Sequence, residues 1–234
     1  MNSHFGICLG AAFLALTLTA CDSRTKGNSG SQKSAKPLQV SEPLAPEENK
    51  ITKLRRLAEQ GDAAAQYDVG RSFYDGNVVS SDSVEAAKWY RKAADQGYAK
   101  AQYRLGGCYH FGNGVAKDGV EAAKWYRLAA EQGNAAAQFI LGICYESGEG
   151  VTKDATEAAE WYRKAAEQGN AAAQFNLGIC YSSGEGVAKD AMEAVKWYRN
   201  AAEQGDASAQ FNLGCCYSSG EGVGRGFFSV KTLK

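Results

Sequence analysis

The chain has 234 residues, with 26 Lys and Arg against 26 Asp and Glu. It is formally neutral, and nothing in that balance would draw a polyanion, so nucleic acid is not an expected partner. Roughly 180 residues belong to a repetitive region, enough to bury one continuous core.

Residues 1–20 contain no Lys, Arg, Asp or Glu, and Ile7 to Ala20 is mostly apolar or small. The run is short beside the about 20 apolar residues of a membrane span, and reads as the apolar part of a secretory signal. It ends in Leu18-Thr19-Ala20-Cys21, which resembles the bacterial lipobox. That resemblance implies lipidation of Cys21 as the mature N-terminus, and a protein anchored in a bacterial cell envelope, facing the periplasm or the exterior. Met1-Asn2-Ser3-His4 departs from the pattern in having no Lys or Arg. The alternative is an ordinary secretory signal with an incidental cysteine. In a host with two membranes, Asp22 resembles the signal that retains lipoproteins at the inner one; the sequence leaves the choice of membrane open.

From Cys21 to Asn49 the composition turns to Ser, Lys, Gly, Gln, Glu and Pro, and all three prolines of the chain lie here, at Pro37, Pro43 and Pro46. Such a segment cannot bury enough apolar surface to offset its ordering entropy, so a disordered tether with a reach of roughly 30 Å is expected. Residues 50–60 read as a lone helix, because Leu54, Leu57 and Ala58 fall in register with Tyr90, Ala93 and Ala94 further on. Lys53 stands where later copies carry Trp, as suits an N-terminal cap with a single neighbour.

Residues 61–223 repeat without insertion or deletion, as four full copies and a half. Glycine opens each copy at Gly61, Gly97, Gly133, Gly169 and Gly205, a step of 36, and Trp89, Trp125, Trp161 and Trp197 keep that step. A fixed period of this length marks a solenoid of stacked helical pairs. In the fourth copy Asn170 is placed to cap helix A, and Ala173, Leu177, Cys180 and Tyr181 share one helical face. Gly184-Glu185-Gly186 makes the turn. Asp190 and Glu193 then form an Asp-x-x-Glu capping box that opens helix B, as do Asp82/Glu85, Asp118/Glu121 and Asp154/Glu157. The glycine after each helix B is its left-handed stop. The tryptophans are the expected packing knobs between repeats.

The pattern Ala-x-x-x-Ala-Gln-x-x-Leu-Gly-x-x-Tyr-x-x-Gly-x-Gly-Val, then Lys-Asp, then Glu-Ala-x-x-Trp-Tyr-Arg-x-Ala-Ala-Glu-Gln-Gly resembles the Sel-one-like repeat (SLR), a relative of the tetratricopeptide repeat. The resemblance implies an all-α fold, a right-handed α/α superhelix that binds other proteins, with no catalytic residues or cofactor to carry over.

Residues 224–234 lose the motif. Counting on by 36 puts Phe228, Val230 and Leu233 at the positions of Met192, Ala194 and Trp197, while Gly226 replaces the capping Asp. This is either a degenerate cap or the end of a truncated array with an apolar flank exposed around Phe227 and Phe228.

Cys108, Cys144, Cys180 and Cys216 occupy one repeat position; equivalent helices spaced about 9–10 Å apart are too distant for disulfides, so these are read as small buried hydrophobes. Cys215 falls off the core face and reads as an exposed thiol. The Gly-Glu-Gly loops lack a phosphate-binding fingerprint and carry an anion-repelling Glu. Beyond the signal, His110 is the one histidine, too few for a metal site or a Ser-His-Asp arrangement. The Trp-Tyr pairs resemble carbohydrate platforms less than packing between repeats.

What varies along the array is one stripe of helix A. Lys100, Arg104, Phe111, Ile140, Ile143, Asn176, Ile179 and Asn212 lie on it. Ile140, Ile143 and Ile179 are expected to point away from the core and form the apolar centre of a concave binding groove, with charged residues at its rim. The reading is therefore a membrane-anchored, monomeric adaptor that binds a protein or peptide, and not an enzyme. Two alternatives stand against it, a cell-wall or β-lactam hydrolase and a structural protein self-associating at its C-terminal end.

Overall fold

The computed structural model describes residues 50–76 and 81–222, all within the second of two compact units, Pro46–Lys234. The signal, Cys21, the tether and the tail at 224–234 lie outside the described residues. Ten helices and no strand occur among the described residues: α1 Lys50–Glu59, α2 Ala63–Asp75, α3 Ser83–Asp95, α4 Ala99–Phe111, α5 Gly119–Glu131, α6 Ala135–Ser147, α7 Ala155–Glu167, α8 Ala171–Ser183, α9 Ala191–Glu203 and α10 Ala207–Ser219. The even-numbered helices are the A helices and the odd-numbered the B helices. Each packs chiefly on the next in the chain, which makes the unit an all-α solenoid.

The helix ends follow from short-range chemistry. Asn170 accepts a hydrogen bond from the Ala173 amide, and Gly184, at φ 80°, ends α8 in the left-handed region where a side chain would be strained. At the B helices the capping differs from the expected reciprocal box. Asp154 alone accepts from both the Thr156 and Glu157 amides. Its own amide donates to the Tyr145 carbonyl at the end of α6, 2.9 Å away, so no donor remains for Glu157 to satisfy. Glu157 accepts instead from Trp161 Nε1 at 3.1 Å. Elsewhere the equivalent glutamates pair with a lysine one turn on, as in Lys124–Glu121.

The packing knob is not the tryptophan but the tyrosine after it. Tyr90 and Tyr162 are among the largest fully buried side chains, whereas Trp89, Trp125 and Trp197 are half-buried and lie on the preceding cluster of the core. Only Trp161 is buried. Each tyrosine ring lies flat on a glycine of the preceding A helix. A Cβ at Gly142 would sit 2.6 Å from the Tyr162 ring, so the recurring Leu-Gly clears room for the knob. Burying such a ring contributes about 1.5–3 kcal/mol, and this contact recurs at Gly70, Gly106 and Gly178.

A second periodic device is a ladder of glutamines. Gln138 is buried; its amide nitrogen donates to the Ala130 carbonyl at 3.0 Å, and its oxygen accepts from Gln168 Nε2 at 2.7 Å. Gln66, Gln102 and Gln174 do the same, so the Gln of Ala-Gln and the Gln of Glu-Gln-Gly meet across 30 residues and join consecutive B helices through the A helix between them. The Arg of Trp-Tyr-Arg is also bound: Arg163 donates to the Tyr181 hydroxyl at 2.9 Å, and Arg127 to that of Tyr145. The helix α1 joins this scheme at the N-terminal end. Its Ala58 carbonyl accepts from Gln66, its Arg55 lies over the Phe73 ring at 5.8 Å, and Lys53 is exposed.

The repeats interlock at Gly150 (φ 74°), where a Cβ would run into the Gly119 carbonyl at the start of the previous repeat's B helix. The second glycine of Gly-Glu-Gly is thus required by close approach of backbone to backbone. The central Glu149 reaches back to His110 Nδ1 at 3.4 Å and Lys117 Nζ at 3.8 Å, which gives it a structural use across the repeat boundary.

Candidate functional site

The variable stripe lies on the A helices, and its residues differ in what the scaffold leaves free. Lys100 and Arg104 are exposed on α4. At the end of the same helix, Phe111 is 69% exposed, its ring edge-on to His110 at 4.5 Å. Ile179 of α8 is 38% exposed. The expectation that all three isoleucines point away from the core is corrected for two of them: Ile140 and Ile143 of α6 are half-buried and pack against the main hydrophobic cluster. A charge placed on either would therefore disturb the core as well as the surface.

Asn176 and Asn212 are half-buried beside the knob tyrosines and bond to their hydroxyls. The Tyr162 hydroxyl donates to Glu146 Oε2 at 2.6 Å and is also reached by Asn176. The Tyr198 hydroxyl is reached by Asn212 and Ser182. In these copies the polar residues of the stripe satisfy the polar end of the core.

Three of the stripe residues, Arg104, Phe111 and Ile140, line one pocket of about 210 Å³. Tyr74, Tyr90, Tyr103, Tyr126, His110 and Asn113 complete its wall with Gly107 and Cys108, so five consecutive helices contribute, from α2 to α6. Lys100, Ile143, Asn176, Ile179 and Asn212 do not line it. The tyrosines and His110 are the wall residues that sequence reasoning missed: Tyr90 and Tyr126 repeat and so read as packing, whereas Tyr74 and His110 share a second variable position, with Glu146, Ser182 and Ser218, outside the stripe. The available signal was that positions 90, 126, 162 and 198 carry Tyr, whose hydroxyl must find a partner where Phe would need none.

The electrostatics of the pocket favour neutral tyrosines beside one cation. Burial pushes the Tyr90 and Tyr126 phenols well above their usual range, so both stay protonated donors. Burial likewise holds the Cys108 thiol up at about 11, which makes it a neutral wall group and not a nucleophile. Cys144 and Cys180 are buried and free in the same way, Cys215 is exposed, and Cys216 departs from its expected burial in being half-buried on α10. Among the described residues no cluster of three His, Cys, Asp or Glu is placed to hold a metal ion, and no helix is long and apolar enough to cross a membrane.

A tandem array of 36-residue helical pairs, tied by tyrosine knobs and a glutamine ladder and varying on one face, defines the class of helical-repeat solenoids. More narrowly, the Sel1 repeat model matches residues 63–98, 99–134, 135–170, 171–206 and 207–226, and the chain belongs to the Sel1-repeat family. Proteins of this family are generally interaction scaffolds without enzymatic activity, and typically bind protein partners. The chain is similar to a protective antigen of uropathogenic Escherichia coli strains that displays an SLR fold, with 42% identity and a TM-score of 0.73 over 75% of this chain. It spans only 38% of that antigen. A Sel1 repeat protein from Oxalobacter formigenes is also 42% identical, with a TM-score of 0.71 over 76% of this chain and 73% of its own. No curated protein matches the sequence.

Proposed function

We propose that this chain is an envelope adaptor, lipid-anchored through Cys21, that binds a protein or peptide partner on the variable stripe of its A helices. The observation that supports the reading best is the contrast in exposure along those helices. Positions that repeat are spent on the core, the glutamine ladder and the caps, whereas on the stripe Phe111 stands largely in solvent and Ile179 keeps 38% of its surface exposed. A large apolar side chain kept at the surface beside Lys100 and Arg104 has the make-up of an interface anchor with a charged rim.

Crosslinked envelopes followed by affinity capture test the proposal. Wild type should retain a partner that Phe111→Asp and Ile179→Asp both lose, with melting temperatures close to that of wild type. Undiminished capture by both variants would transfer the interface to the helix B side, where Val120, Leu128 and Val151 border an open depression. The anchor is tested separately: Cys21→Ser should leave the membrane fraction, and a wild-type N-terminus free of lipid by mass spectrometry would refute it.

A further inference from the structure

The pocket between α2 and α6 contains a polar group that the fold itself leaves unpaired. Tyr90 is 1% exposed, yet its hydroxyl has no hydrogen-bond partner. A buried, unpaired polar group is costly, and the third and fourth copies show how the scaffold avoids it. There Glu146 and Asn176 satisfy Tyr162, and Ser182 and Asn212 satisfy Tyr198. Around Tyr90, in the first copy, the residues at those positions are Tyr74 and Arg104, and the Tyr90 hydroxyl stays open.

Charge points the same way. Arg104 bonds to Tyr67, and among the described residues no carboxylate forms an ion pair with it. The acids nearest the pocket are already engaged, Asp75 with Arg71 at 3.6 Å and Glu149 with His110 and Lys117. A guanidinium beside an unpaired phenol offers a fork and a further donor, which together suit a carboxylate. Phe111 and Ile140 add an apolar surface at the same opening.

We infer that this pocket, within the partner-binding face proposed above and resting on that reading, takes an acidic side chain from an internal, extended segment of the partner, with the segment's neighbouring apolar side chain against Phe111 and Ile140. An internal segment fits better than a chain end because the lining residues come from five successive helices, α2 to α6, so that a strand laid across those helices passes over the pocket at mid-length. The carboxylate completes the Tyr90 hydroxyl as Glu146 completes that of Tyr162.

The test is selection of random heptapeptides, displayed with vector sequence on both sides, on the full-length protein. Enriched peptides should carry Asp or Glu next to an aliphatic or aromatic residue. Fluorescence anisotropy with the best synthetic peptide should then show at least tenfold weaker binding when its acid is changed to Asn or Gln. Arg104→Gln should abolish that discrimination, and Tyr90→Phe should weaken binding severalfold without lowering the melting temperature. The inference is overturned if no acid is enriched, if Arg104→Gln discriminates as well as wild type, or if binding requires a free terminal carboxylate. Peptides that bind Arg104→Gln normally but fail on Phe111→Asp and Ile179→Asp would sink the acidic subsite and leave the stripe standing. Peptides indifferent to all of these changes would remove both.

Discussion

The half of the array around α3 to α5 and the half around α7 to α9 use the same frame and end it differently. In both, a tyrosine ring is pressed on a helix A glycine and the core around it is alanine and leucine. At Tyr162 the hydroxyl closes on Glu146, whereas at Tyr90 it meets a pocket bordered by the Arg104 guanidinium, which bonds to Tyr67 and forms no ion pair with a carboxylate among the described residues. The ring holds the array together and is kept in every full copy, while the partner of its hydroxyl differs from copy to copy, which is the freedom the proposed binding site uses.

The first way to break the comparison is to delete the rings. Tyr162→Ala and Tyr90→Ala should each lose about 3–5 kcal/mol, because both leave a cavity the size of the ring in equivalent packing. Chemical denaturation would show this, and markedly unequal losses would mean that the two halves do not share one frame. Next in size is the burial of a charge on the stripe. Ile143→Asp should cost about 2–3 kcal/mol since the residue packs on the core, and Ile179→Asp about 1 kcal/mol since more of it is exposed. Thermal melts of the pair would decide whether exposure separates anchor from core. A smaller loss, about 1–3 kcal/mol, is expected for Gln138→Ala, which removes the two side-chain hydrogen bonds of the buried rung, one to the Ala130 carbonyl and one from Gln168. Gln210→Ala, at an exposed rung with one long contact of 3.2 Å, should fall within about 0.5 kcal/mol of wild type by the same denaturation.

The fold was legible because its determinants are local and repeated. Asn170, Gly184, Asp190 and Gly205 are caps and stops whose chemistry acts within a few residues, so their spacing alone marked the helices. The long-range devices were not legible. Gln138 and Gln168 lie 30 residues apart, and nothing in either residue names the other until the helices are stacked. The prominence of Trp as the larger aromatic ring hid the deeper burial of the tyrosine that follows it. The stripe was visible as the place where copies differ, but which of its members line one pocket depends on how far each rotates toward the core. Ile140 and Arg104 meet there while Ile143 turns inward and Asn176 turns to Tyr162. Tyr90 and Tyr126 were hidden by their own regularity.

The most direct test of the contrast between the two halves removes a single oxygen from each. Tyr162→Phe should lose about 1–2 kcal/mol, because Glu146 and Asn176 lose the hydroxyl they hold, while Tyr90→Phe should stay within about 0.5 kcal/mol of wild type or gain slightly, having no hydrogen bond to lose. Equilibrium urea denaturation of the two variants side by side measures this. A loss at Tyr90 equal to that at Tyr162 would contradict the account, since it would show that the Tyr90 hydroxyl is already satisfied within the fold and is not held open for a partner.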